Sequence, residues 1–98
     1  MTVAEFAAAD AEQFSGALLA LWWDGQGDWR KAHEIAQDVQ GADGAWVHAY
    51  LHRKEGDVGN AAYWYGQARR PVAEGDLRDE WKQIVEEMLR EAEFVAGR

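Results

Sequence analysis

The sequence predicts an all-α fold of five to six helices, stacked as antiparallel helix hairpins with a C-terminal capping helix. Three observations predict it. Gly-Asp pairs recur at Gly27-Asp28, Gly56-Asp57 and Gly75-Asp76, with Gly41-Ala42-Asp43 as a near variant. Gly suits the left-handed residue that ends a helix, and Asp caps the next one, so each pair reads as a stop followed at once by a start. Apolar residues between these marks recur at the helical period. No stretch alternates as a strand would.

The elements follow in order. Thr2-x-x-Glu5 and Asp10-x-x-Gln13 have the capping-box spacing and open helices predicted near 3–9 and 10–25. Trp29, Ala32, Ile35, Ala36 and Val39 make a stripe on a helix over 29–40. A helix over 44–55 lies between two Gly-Asp marks. Val58, Ala61, Trp64, Tyr65 and Ala68 define the next, over 58–69, which Pro71 brings to an end. Leu77, Trp81, Ile84, Val85, Met88, Leu89, Ala92 and Val95 give the longest stripe, over 77–95. Its Glu86, Glu87, Glu91 and Glu93 read as the solvated face of a capping helix. Five of the six Trp (22, 29, 46, 64 and 81) fit apolar stripes and read as core.

At 98 residues the chain has the length of one domain. It contains no Cys, which excludes disulfides, zinc–thiolate sites and thiol nucleophiles. The longest apolar run, Ala17 to Trp23, is too short to span a bilayer, and Met-Thr-Val-Ala-Glu lacks the basic start of a signal peptide, so a cytoplasmic location is expected. A net charge of −8 argues against nucleic acid and anionic membranes as partners. The charge is uneven. Residues 1–43 carry eight acids and two bases, net −6, and residues 73–98 carry eight acids and four bases, net −4. Residues 44–72 carry two acids and four bases, net +2, together with all three Tyr and two of the three His. Composition therefore singles out the 44–72 hairpin.

Sliding the chain by 29 residues places Ala20, Gly27, Asp28 and Ala32 on Ala49, Gly56, Asp57 and Ala61. This weak repeat pairs a hairpin near 16–40 with one near 45–69. Gly56-Asp57, Ala61, Tyr65 and Ala68 have the spacing of the second half of a tetratricopeptide repeat, and Leu19, Ala20, Trp23, Gly27-Asp28 and Ala32 resemble the middle of another. The likeness covers residues 16–70. It departs in its period of 29 rather than 34, in an early Pro71, and in having His48 and His52 where an apolar pair is expected. The run from His48 to Ala68, HAYLHRKEGDVGNAAYWYGQA, also resembles a block in short bacterial proteins of unassigned function. That likeness implies a bacterial origin and no particular activity.

His48 and His52 share a helix face, and Glu55 follows on the same side, so the three can supply part of a transition metal's shell. The zincin pattern is absent, because Ala49 follows the first His where a general-base Glu would stand. A further ligand would have to come from another helix, with His33 or Glu34 as guesses. The simpler reading aligns His48 and His52 with Leu19 and Trp23, facing the hairpin partner, in a polar network with Tyr65 or a carboxylate. Asn60, Tyr63 and Gln67 form the face opposite the apolar stripe and suit a partner contact, Tyr being common at binding hot spots. Arg53-Lys54 and Arg69-Arg70 close their helices, where cations suit the negative pole, and Arg53 and Arg69 join the candidate surface. Arg30-Lys31 stand at a helix start, where that explanation fails.

The expected function is a non-enzymatic module that binds a protein or peptide through the 44–72 hairpin, without a cofactor. The alternative is a small-ligand or metal-binding protein using His48, His52 and Glu55.

Overall fold

A computed structural model describes residues 1–96, with side chains through Glu93. Among the described residues there are six α-helices and no strand. They are α1 (Val3–Ala8), α2 (Gly16–Gly25), α3 (Trp29–Gln37), α4 (Gly41–Glu55), α5 (Val58–Gln67) and α6 (Leu77–Ala96). Helices α2 and α3 pack on each other, as do α4 and α5, and α6 lies across α2 and α4. Val95 of the predicted α6 stripe falls outside the described side chains.

The turn chemistry works largely as the sequence predicts. The Thr2 hydroxyl accepts from the Glu5 amide while Glu5 reaches back to the Thr2 amide, closing a capping box. Asp28 and Asp57 accept from the amides of Lys31 and Asn60 and so cap α3 and α5. Gly27 and Gly56 take positive φ, and the amides of Asp28 and Asp57 donate back to the carbonyls of Trp23 and His52. The end of α5 makes the same turn without glycine. Arg69 sits at φ 59, and the Arg70 amide donates to the Tyr65 carbonyl at 3.0 Å.

Two boundaries differ from expectation. The predicted helix over 10–25 is broken into a single 3-10 turn, Ala11–Gln13, followed by extended Phe14 and Ser15. Asp10 makes no side-chain cap there. Phe14 turns inward to meet Phe6 at a ring separation of 4.7 Å, and that contact competes with helix continuation. Helix α4 starts at Gly41 rather than 44. Its tight entry needs Gly44, since a Cβ there would collide with the Val39 carbonyl.

The core gathers around α4. Every residue from Gly44 to His52 is buried, because α2, α3, α5 and α6 all touch this one helix. The three alanines expected at close contacts, Ala20, Ala49 and Ala61, are all buried, so backbones approach closely there. Trp46 and Trp81 are core residues, whereas Trp22, Trp29 and Trp64 are only partly buried. Trp81 donates its indole N–H to the Leu21 carbonyl at 3.0 Å and lies against Gly25, where a Cβ would come within 2.8 Å of the ring.

Two buried carboxylates tie α4 to its neighbours. Asp24 of α2 accepts from the Tyr50 hydroxyl at 2.6 Å and from Lys54 Nζ at 2.9 Å. Glu80 of α6 accepts from the Tyr65 hydroxyl at 2.6 Å, Arg53 Nη1 at 2.9 Å and Trp46 Nε1 at 3.4 Å. Burial, and then the adjoining carboxylate, push both tyrosine hydroxyls above their ordinary pKa. They therefore stay protonated and keep donating.

Candidate functional site

Helices α3 and α4 bring all three histidines together. His48 and His52, one turn apart on α4, are each 9% exposed, and His33 comes across from α3. His33 Nε2 and His48 Nε2 stand 3.1 Å apart, and one nitrogen from each of the three rings lies within 4.8 Å of the others. The third imidazole is thus His33, one of the two residues named as guesses from sequence. Glu55 takes a different place. Its Oε2 lies 2.6 Å from His52 Nδ1, and His52, Glu55 and Asp57 form a second close group that shares the His52 ring.

Aromatic walls hold the rings. Trp29 stacks on His33 with centroids 4.8 Å apart, and its indole N–H donates to the Leu51 carbonyl at 2.8 Å, which fixes the wall. Trp64 of α5 stacks on His48 at 4.2 Å, and His48 stacks on His52 at 4.9 Å. The hairpin alignment placed His48 against α5, and this stack is that contact.

Hydrogen bonding admits two proton arrangements. The Gln37 amide lies 3.0 Å from His33 Nδ1. With the amide NH₂ donating to Nδ1, the His33 proton sits on Nε2 and is donated to His48 Nε2. A half-turn of the amide presents its oxygen instead, which suits Nδ1–H and frees the His33 Nε2 lone pair. Desolvation, followed by the neighbouring His33 and His52, holds His48 down to about 4. Desolvation also lowers His33, against the opposing pull of Glu55 and Glu34. Both rings are neutral at pH 7 and have lone pairs for a cation.

Three converging imidazoles suit zinc, copper, nickel or iron. Around a tetrahedral ion with metal–nitrogen bonds of about 2.0–2.1 Å, ligand nitrogens are roughly 3.3 Å apart. The His33–His48 pair is already near that separation, at 3.1 Å. Closing the remaining separations within the 4.8 Å group takes a movement of at most about 1.5 Å.

The other sequence candidates lie elsewhere. Tyr65 does not join the histidines but bonds Glu80 in the core. The expected basic patch is not formed. Arg53 bonds Glu80 and the Gly75 carbonyl, Lys54 bonds Asp24, and Arg70 bonds Glu87 while covering the Trp46 ring. The positive balance of 44–72 is thus absorbed by the acidic α2 and α6 on either side. Asn60 is turned to Asp57, its amide donating to Oδ2 at 2.9 Å. Tyr63 is 58% exposed, and Gln67 and Arg69 line a hollow of about 560 Å³ beside Trp64. Lys31, left unexplained by sequence, sits over the Trp23 ring at 5.0 Å. Glu34 is exposed.

Sequence reasoning missed the carboxylates Asp24 and Glu80 and the Trp29 and Trp64 walls. A signal for the carboxylates existed: two Tyr at core positions need acceptors for their hydroxyls. The chain matches none of the family models, curated proteins or solved structures compared with it.

Proposed function

We propose that this protein binds a single first-row transition-metal ion, zinc being the reference case, through His33, His48 and His52. The observation that supports this reading is the convergence of three imidazoles from two helices within 4.8 Å. Hydrogen bonding alone needs only two rings at that point; stacked indoles hold His33 and His48, and His48 in turn stacks on His52. Burial keeps His33 and His48 neutral, so protons compete weakly with a metal for those two rings at neutral pH. The surrounding charge of −8 favours approach of a cation. Because α3 and α4 both contribute, the ion would staple the two helix pairs together.

Calorimetric titration with zinc tests it. The expected result is one ion per chain for the wild type and loss of binding in His33→Ala and His48→Ala. Equal binding by wild type and both variants would remove the reading.

A second reading has its own observation. Helix α5 carries no charged residue, packs chiefly on α4, and leaves Val58 and Tyr63 exposed beside open Gly59 and Gly66. A protein or peptide partner laid on this face would contact Tyr63 first. Tyr63→Asp should then abolish partner capture from native lysate with unchanged thermal unfolding, and an unchanged capture profile would dispose of the idea.

A further inference from the structure

Resting on the metal reading, we propose that Glu55 is a positioning residue: its carboxylate fixes His52 as the Nδ1–H tautomer and leaves Nε2 as the nitrogen offered to the ion. Three observations support this assignment. The Glu55 Oε2 to His52 Nδ1 distance, 2.6 Å, is that of a strong charge-assisted hydrogen bond. A carboxylate oxygen accepts, so the proton between them is carried by Nδ1, and a neutral ring held in that way has its lone pair on Nε2. Among the described residues Glu55 makes no other hydrogen bond or ion pair. Its neighbours Arg53 and Lys54 are committed to Glu80 and Asp24, and both Asp57 oxygens are held by Asn60.

The three rings therefore differ in what fixes them. The amide of Gln37 suits either tautomer of His33 by a half-turn, and the direction of the His33–His48 hydrogen bond turns with it. Only His52 has a partner that permits one tautomer alone. Carboxylate–imidazole–metal arrangements of this kind orient the ring and raise its basicity as a ligand. Glu55 is 38% exposed, so shortening its side chain opens the Nδ1 side of His52 toward solvent.

The test uses the full chain with Glu55→Ala and Glu55→Gln variants. Long-range proton–nitrogen NMR of the metal-free wild type should show His52 protonated at Nδ1 alone. Glu55→Ala should show a mixture of tautomers, with thermal unfolding of the metal-free protein unchanged. Zinc affinity should fall about 10–100-fold in Glu55→Ala. Glu55→Gln should recover much of it, because its carbonyl oxygen still accepts from Nδ1–H. Glu55→Ala with wild-type affinity and a wild-type tautomer would overturn the positioning role alone. So would a Glu55→Gln as weak as Glu55→Ala, since that result makes the carboxylate a direct ligand. A wild-type protein that binds no zinc, whatever its tautomer, would sink the metal reading and the proposal with it.

Discussion

Replacing Glu80 with Ala removes a buried carboxylate that accepts from three side chains. Glu80 is 4% exposed and accepts from Tyr65, Arg53 and Trp46. Its loss leaves a buried Tyr hydroxyl and a largely buried guanidinium without their acceptor. Breaking a buried ion pair by removing one partner costs about 3–5 kcal/mol, and an orphaned hydroxyl about 1–3 kcal/mol. The two overlap, because one carboxylate serves both, and Arg53 keeps the Gly75 carbonyl. A total of about 3–4 kcal/mol is expected, against a stability of roughly 5–15 kcal/mol for a domain of this length. At roughly 4–8 °C per kcal/mol, the unfolding midpoint should fall by about 12–30 °C. Glu80→Gln retains an acceptor and should cost less, about 1–2 kcal/mol. Urea unfolding followed by Trp fluorescence measures both, with Trp46 as a local reporter. A Glu80→Ala loss below about 1 kcal/mol would refute the reasoning, since the carboxylate would then be solvated rather than holding α6 to α4 and α5.

Acid should destabilise the metal-free protein partly through His48. Its folded pKa of about 4 lies below the ordinary 6.5, so the unfolded chain takes up a proton that the folded chain refuses. The contribution is fully present above pH 6.5 and is lost as pH falls through that window to about 4. It amounts to about 3 kcal/mol at roughly 1.4 kcal/mol per unit. His48→Leu should flatten that part of the pH–stability curve in urea unfolding, and an unchanged slope would show that His48 does not carry it. Gly44→Ala should lose about 1–3 kcal/mol, measured the same way, because its Cβ meets the Val39 carbonyl. Arg69→Gly should be neutral or gain up to about 1 kcal/mol by relieving φ 59, and a clear thermal destabilisation would contradict that account.

Local signals in the sequence were legible where the physics is local. Asp28, Asp57 and Thr2 cap as their spacing predicts, and Gly27 and Gly56 take the left-handed turns. Helix α4 illustrates the limit. It is buried on all sides from Gly44 to His52, and a helix without a solvent face has no apolar period to read. Its early start and its nine-residue burial were therefore invisible, although its existence was not. Arg69 hid the end of α5, because that turn usually declares itself with glycine. The candidate site was half legible: His48 and His52 announce themselves by their spacing, while His33 arrives 15 residues earlier from another helix. The basic balance of 44–72 misled for a related reason. Charge counts along a chain do not tell which acidic helix folds back on them, and Asp24, Glu80 and Glu87 do so here.

X-ray absorption at the zinc edge of the loaded full-length protein addresses the metal reading most directly, because it reports the ligands themselves. With His33, His48 and His52 bound, the first shell should contain three imidazole nitrogens at about 2.0–2.1 Å, with the outer-shell scattering that imidazole rings give. Removing His33 should lower that count by one or release the ion. A shell of oxygens without imidazole scattering, or a spectrum unchanged in His33→Ala, would contradict the three-histidine site.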